Sequence, residues 1–317
     1  MRAADLTKIE AHRARRIGEM LITQGALPEF NREPHEVLVD LEQLDGHEVV
    51  KHYRAFEASF ATAPFDPEGK LLRFYPGGVT IWSGFPGSGK TTLLRQQVCQ
   101  ILASGSSVFL ASLEEDPRRI IYRLAATAAG TPNPTPNHVQ WFIDAYAKRF
   151  RLWGVIGIAE HLQLLGIVRQ LAAEKIRHFV LDSLMCLDVR NDDTEGQRKF
   201  ANLVATTARA AQIHIHLVAH PRKLLRSDQE LDLNDVAGAR EIGGIADNVL
   251  FVRRDPNRQA YGLSAEVTPM CVSVRKQRHF TGGLGDCEGW FHRGWQQYHR
   301  EQHMGAPARY LPEDAFR

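Results

Sequence analysis

The sequence predicts an α/β domain on a largely parallel central sheet, and three observations carry that expectation. From Gly78 to about Tyr298, apolar runs of strand length alternate with helical patterns. A glycine-rich turn stands between the first strand and the first helix of the series. Late in the chain, strands follow one another with no helix between them, which predicts an antiparallel extension at one sheet edge.

The strand candidates are 79–83, 107–112, 149–153, 177–182, 213–219, 247–253, 268–275 and 288–292. Helical patterns fall at 89–104, 117–129, 160–175, 194–212 and 237–244. Ahead of them, residues 1–27 read as an amphipathic helix carrying Ile9, Ile17, Met20 and Leu21, with Arg13, Arg15 and Arg16 among them. Such a helix cannot hide its apolar face alone and must dock elsewhere. Residues 28–77 are broken by five prolines and read as linker and lead-in, with a helix-like piece around Leu41–Phe60. The domain expected over 78–300 is followed by a loosely ordered tail, 301–317.

With 317 residues, 44% of them hydrophobic, the chain can bury one large core, or one core with a small appendage. A net charge of +2 shows no global basic bias, so any nucleic-acid site must be local. The four cysteines, Cys99, Cys186, Cys271 and Cys287, form no CxxC pair and read as reduced thiols. No run of 18 apolar residues exists, and the N-terminus mixes basic residues with Asp5, Glu10 and Glu19. A cytoplasmic protein without a membrane partner is expected.

The glycine-rich turn is Ser83-Gly84-Phe85-Pro86-Gly87-Ser88-Gly89-Lys90-Thr91-Thr92, placed after Gly78–Trp82 and before Leu93–Val98. Strand, GxxxxGK[ST] and helix together describe a phosphate-binding loop. Its glycines let successive N–H groups face one anion, and the helix N-terminus adds partial positive charge. Lys90 is expected on the β- and γ-phosphates, with the Thr91 hydroxyl in a Mg²⁺ shell.

Two strands end in acids. His178–Asp182 is an apolar run whose carboxylate is suited to orient Mg²⁺ through its water shell. Val108–Leu113 runs into Glu114-Glu115-Asp116-Pro117. Ligands bind at the carboxyl ends of parallel strands, so a glutamate here can serve as general base toward an attacking water. Asp116 before Pro117 suits a helix N-cap, which leaves Glu114 and Glu115 as competitors for the base.

Ile213-His214-Ile215-His216-Leu217-Val218-Ala219-His220 places His214 and His216 on one strand face as core histidines. His220, at the ligand-facing end, is suited to sense a γ-phosphate. Arg222, Lys223 and Arg226 occupy the polar loop that follows. A last strand delivers Arg275-Lys276-Gln277-Arg278-His279 into a turn containing Gly282, either to blunt a sheet edge or to act as an arginine finger.

Taken in order, these motifs resemble the hexameric ring helicases with a RecA-like core. That group includes the DnaB-type replicative helicases, the phage helicase–primases and Twinkle. The resemblance covers about residues 75–298 and runs through Gly84–Thr92, Ser112-Leu113-Glu114, Leu181-Asp182-Ser183 and Ala219–Lys223. It continues with Gly238–Ile242, Ala246–Val249, and Lys276–Arg278 with Thr281-Gly282. It implies a RecA-like P-loop NTPase fold binding ATP or another NTP with Mg²⁺. The loop residues Gly84, Pro86, Gly87, Ser88, Gly89, Lys90, Thr91 and Thr92 would hold the nucleotide, with Arg254 on its base or ribose. Glu114 would be the base, with Thr91 and Asp182 at the metal. His220 would be the sensor, and Arg278, with Lys276 beside it, the finger for a neighbouring subunit. Arg222, Lys223 and Arg226 would face single-stranded DNA in a central channel, as would the loop around Val189–Arg198. The implied assembly is a homo-oligomer, six subunits in this family, working with a separate primase or loader. His279 departs from the family's turn by one residue. The rival readings are a RecA-like recombinase or mediator that binds DNA as a filament, and a non-unwinding P-loop ATPase adaptor.

Overall fold

The structure, a computed structural model, describes residues 44–58, 60–188, 193–221, 231–236, 240–254, 267–278, 283–301 and 306–316. The helix expected over 1–27, the cations Arg222, Lys223 and Arg226, and the turn residues His279, Thr281 and Gly282 lie outside them. Ahead of the phosphate loop come α1 (Gly46–Ala58) and two short antiparallel strands, β1 (Ala61–Thr62) and β2 (Arg73–Phe74). Residues 60–77 are thus more than the expected linker: Phe65, Leu72 and Phe74 are fully buried in the main core. The turn between them is tied by Asp66, whose carboxylate accepts from the backbone N–H groups of Lys70, Leu71 and Leu72. The prolines that suggest a linker punctuate a turn whose intervening aromatics are core residues.

The expected alternation then follows. In chain order it runs β3 (Val79–Ser83), α2 (Lys90–Ala103), β4 (Val108–Ser112), α3 (Pro117–Ala129), α4 (Pro136–Tyr146), β5 (Phe150–Leu152) and α5 (His161–Ala173). It continues through β6 (His178–Asp182), α6 (Thr194–Ala211), β7 (His214–Val218), α7 (Arg240–Ile245) and β8 (Asn248–Arg254). Three antiparallel strands close the series: β9 (Val267–Gln277), β10 (Gly285–His292) and β11 (Gln297–His299). The nine described strands from β3 onward form one sheet, ordered β11-β10-β9-β8-β3-β7-β6-β4-β5. The strands from β8 to β5 in that order run parallel, so the largely parallel sheet with an antiparallel C-terminal extension is as expected.

Strands β3, β4, β6 and β7 are buried at every residue, which explains their near-continuous apolar character. One face, with Val79, Ile81, Phe109 and Phe179, packs against α5 and α6. The other, with Trp82, Leu110, Val180 and Leu250, packs against α2, α3 and α4. Helix α4 is absent from the sequence reading because it buries only Phe142 and Tyr146, too few to set up a period. Its start is nonetheless written locally: Thr135 and His138 form a capping box, and Pro136 sits in the first turn. The tail is a second correction. Tyr310, Leu311 and Ala315 are buried, the Tyr146 hydroxyl donates to the Tyr310 carbonyl, and Gln96 donates to the Tyr310 hydroxyl at 3.0 Å.

His214 and His216 are core histidines, as the alternation predicts, and His178 joins them from β6. Trp82 Nε1 donates to His216 Nδ1 at 3.2 Å, so a neutral His216 offers its Nε2–H to His178 Nδ1 at 3.3 Å. His214 Nδ1 donates to the Tyr75 carbonyl at 2.8 Å, and its Nε2 accepts from Thr80 Oγ1, also at 2.8 Å. Burial is the first cause holding all three below the ordinary imidazole range, His214 at about 4 and His178 at about 3. They are neutral rings in a hydrogen-bonded network. Among the described residues, no group of three or more His, Cys, Asp or Glu could hold a metal ion. No helix among them is long and apolar enough to cross a membrane.

Candidate functional site

The phosphate loop leaves β3 at the carboxyl edge of the sheet, between β7 and β8. Three of its glycines have positive φ: Gly84 at 144°, Gly87 at 74° and Gly89 at 99°. A Cβ on Gly84 would collide with the Val252 carbonyl oxygen, and one on Gly89 would come 2.7 Å from Met270 Cε. Glycine is therefore required by backbone conformation at both positions, and at Gly84 by space as well. Ser88 Oγ is buried and finds no hydrogen-bond partner among the described residues. Such an orphaned hydroxyl inside a glycine cradle suits a polar ligand.

Lys90, the first residue of α2, turns back over this loop. Its Nζ donates to the Gly84 carbonyl at 2.6 Å and to the Phe85 carbonyl at 3.0 Å. Burial draws the ammonium below its ordinary value, against the pull of Asp182 and Glu114. Thr91 Oγ1 donates to Asp182 Oδ2 at 3.2 Å, bringing the expected metal pair together. Burial first, and the Glu114 charge second, push the Asp182 carboxyl up to about 6. Two carboxylates and a hydroxyl around one ammonium form an oxygen-rich set that suits Mg²⁺.

The two glutamates after β4 part company. Glu114 is exposed and accepts from Ser183 Oγ at 2.8 Å, with Cys186 Sγ 3.6 Å from the same oxygen. Glu115 is turned inward and paired with Arg123 at 3.0 Å and Arg95 at 3.6 Å. Asp116 caps α3 by accepting from the N–H groups of Arg118 and Arg119. One short acidic run therefore carries an exposed carboxylate, an ion-paired one and a helix cap. The geometry favours Glu114 over Glu115 as the group that meets a ligand.

His220, two residues beyond β7, is half-buried within reach of the charges of Lys90 and Glu114. Burial first, then Lys90, hold it below the ordinary imidazole value. Arg254 ends β8 exposed, at the same edge of the sheet as the loop. Pro86 and Gly87 are exposed at the loop's crest, and Thr92 is half-buried in the first turn of α2. Lys276 and Arg278 are not brought to this cluster. Strand β9 runs antiparallel to β8, pairing Met270 with Arg254 at the loop end and Gln277 with Asn248 at the other. There Lys276 Nζ donates to the carbonyls of Gly243 and Gly244 at 2.9 and 2.7 Å. Arg278 donates to the Gly244 carbonyl at 3.0 Å and lies 3.6 Å from the buried Asp247 carboxylate.

Ser183, Arg95 and Arg123 belong to the site although the sequence reading assigns them no role. Signals exist for two of them: Ser183 directly follows the metal-side aspartate, and Arg95 lies one helical turn after Thr91. Arg123 is tied to the site only by folding.

A family model described as "AAA domain", AAA_25, matches residues 50–225. Among solved structures, the chain is similar to the ATPase domain of a phage protein with a TM-score of 0.65 and 17% identity, covering 81% of this chain and 99% of that one. It is similar also to a DnaB-like replicative helicase described with its interactions with primase. That match has a TM-score of 0.65 and 17% identity, and covers 92% of this chain and 75% of that one. No curated protein matches. At this identity the structural likeness establishes the fold alone, the same largely parallel α/β architecture as in those two structures.

Proposed function

The chain belongs to this AAA domain family, and from that premise we propose that it is an ATP-dependent DNA helicase. It translocates on single-stranded DNA as a ring and hydrolyses NTP at subunit interfaces. One observation carries the reading: Lys276 and Arg278 sit at the opposite end of the sheet from the phosphate loop. A single chain holds both halves of a hydrolytic site and cannot join them, whereas a ring sets one half against the other.

In this reading Lys90 exchanges the Gly84 and Phe85 carbonyls for the β- and γ-phosphates, and the loop N–H groups take the remaining phosphate oxygens. Mg²⁺, held between Thr91 and Asp182, would neutralise charge on the phosphates. Glu114, oriented by Ser183, accepts the proton of the attacking water. Arg278 from the adjacent subunit leaves Gly244 and Asp247 to stabilise the charge that develops at the γ-phosphate. His220 reports the γ-phosphate to the loop that follows it. Arg222, Lys223 and Arg226 in that loop grip the DNA backbone with little sequence preference. Arg254 meets the base or ribose, and Lys276 supports the finger. The primase named with one structural relative makes a primase the first partner to assay.

The test is DNA-stimulated ATPase with forked-duplex unwinding, run alongside particle imaging. Closed rings, unwinding, and activity that rises with protein concentration support the proposal. Helical filaments without unwinding would replace it with the recombinase reading, and a fully active monomer would refute it. Mixing Arg278→Ala with Lys90→Ala subunits should partly restore activity, because each spoils a different half of the interface.

A further inference from the structure

The inward glutamate has a geometry of its own. Glu115 is 16% exposed and divides its two oxygens between two guanidiniums, Oε1 to Arg123 and Oε2 to Arg95. Arg95 comes from α2, one turn beyond Thr91, and its side chain is only 11% exposed. With Thr91, Ser112, Glu115 and Asp182 it lines a small cavity behind the phosphate loop. A nearly buried cation thus pairs with one carboxylate, Glu115, and lines the same cavity as a second, Asp182, whose charge it feels. Burial acts against the Arg95 charge, and Glu115 is the first charge supporting it. A buried guanidinium that loses its partner is strongly driven to another anion.

We propose that Glu115 is a positioning residue that holds the Arg95 guanidinium off Asp182, keeping the Asp182 carboxylate and the Thr91 hydroxyl available to Mg²⁺. The inference rests on the nucleotide-binding reading above and adds a second layer to its metal site. Arg123, half exposed on α3, is the outer brace that fixes the far oxygen of Glu115. Without Glu115, Arg95 keeps its charge and its place in the cavity wall and turns to Asp182, where it competes with the metal. The two adjacent glutamates then divide the labour: Glu114 faces the ligand, and Glu115 controls a cation behind the metal site.

The test titrates Mg²⁺ into the full chain with a fluorescent, non-hydrolysable ATP analogue and reads binding by anisotropy. Glu115→Gln should raise the Mg²⁺ midpoint by about tenfold, as loss of an outer-shell partner to a metal site does. Arg123→Gln should shift it in the same direction by a smaller factor, and serves as the test if Glu115→Gln does not fold. Adding Arg95→Met to Glu115→Gln should return the midpoint most of the way to wild type, because the competing cation is gone. A purely structural role would lower the melting temperature of Glu115→Gln and leave its Mg²⁺ midpoint unchanged. That result overturns the inference, as does a double variant no better than Glu115→Gln. Failure of the wild-type chain to bind the analogue at any Mg²⁺ concentration overturns the nucleotide reading itself, and this inference with it.

Discussion

The two ends of the sheet carry similar charges in opposite states. At the carboxyl end Lys90, Thr91, Glu114 and Asp182 converge, and Ser88 Oγ is buried without a partner among the described residues. At the other end Lys276 and Arg278 rest on helix carbonyls, and Asp247 accepts from the Val79 N–H at 2.9 Å. The first end is an arrangement that a ligand would complete. At the second the cations are already engaged, Arg278 against the buried Asp247 carboxylate while remaining 40% exposed itself. The difference suggests why a site built from both ends would depend on a second copy of the chain.

The largest expected effect breaks that comparison directly. Arg278→Ala should lower DNA-stimulated ATPase by about 10³-fold while leaving nucleotide affinity intact. A variant that retains most of its turnover would return Arg278 to the role of an edge-blunting cation. At the other end, Glu114→Gln should cost about 10²-fold or more in turnover with ATP binding retained. Substantial remaining hydrolysis would move the base away from Glu114.

Glycines sharpen the contrast through stability alone. Gly84→Ala combines a φ of 144° with a collision against the Val252 carbonyl, and should cost about 3 kcal/mol, or roughly 5–10 °C in melting temperature. Gly244→Ala, whose added Cβ meets nothing within 4 Å, should be neutral or stabilise α7 by up to about 1 kcal/mol. Equal melting temperatures would show that the loop end is under no tighter backbone constraint than the other.

Between the two ends lies the histidine layer, whose effect depends on pH. His178 and His214 titrate at about 3 and about 4 in the folded state, below the ordinary value of 6.5. As pH falls below 6.5 the unfolded chain binds protons that the folded core refuses. Stability is therefore complete above that value and declines toward the folded pKa values, by up to about 1.4 kcal/mol per pH unit for each ring. Chemical denaturation at pH 7 and pH 5 should show the loss, and a His214→Gln/His216→Gln variant should show less of it. Asp116→Ala removes the α3 cap, which should cost about 1 kcal/mol and loosen the turn presenting both glutamates.

Much of the fold was legible because parallel strands buried on both faces leave unbroken apolar runs, and helices between them leave a period. What escaped had too few buried positions or the wrong composition. Helix α4 buries two aromatics, Phe65 and Phe74 sit among prolines, and Tyr310 lies in a polar tail. Within the site, Lys90, Thr91 and Asp182 were legible because a phosphate loop and an acid-ended strand are each written in consecutive residues. Ser183 and Arg95 stand near signals that name no role, and Arg123 near none.

By itself the sequence determined the α/β class, the phosphate loop and the strand ends that face it, since each depends on backbone chemistry within a few residues. Tertiary structure alone decided which of two adjacent glutamates stays exposed and which is ion-paired. The contacts that separate them reach from Glu114 to Ser183, 69 residues away, and from Glu115 to α2 and α3. It decided also that Arg278 lies at the far end of the sheet, because an antiparallel β9 carries the chain away from the loop that Met270 touches.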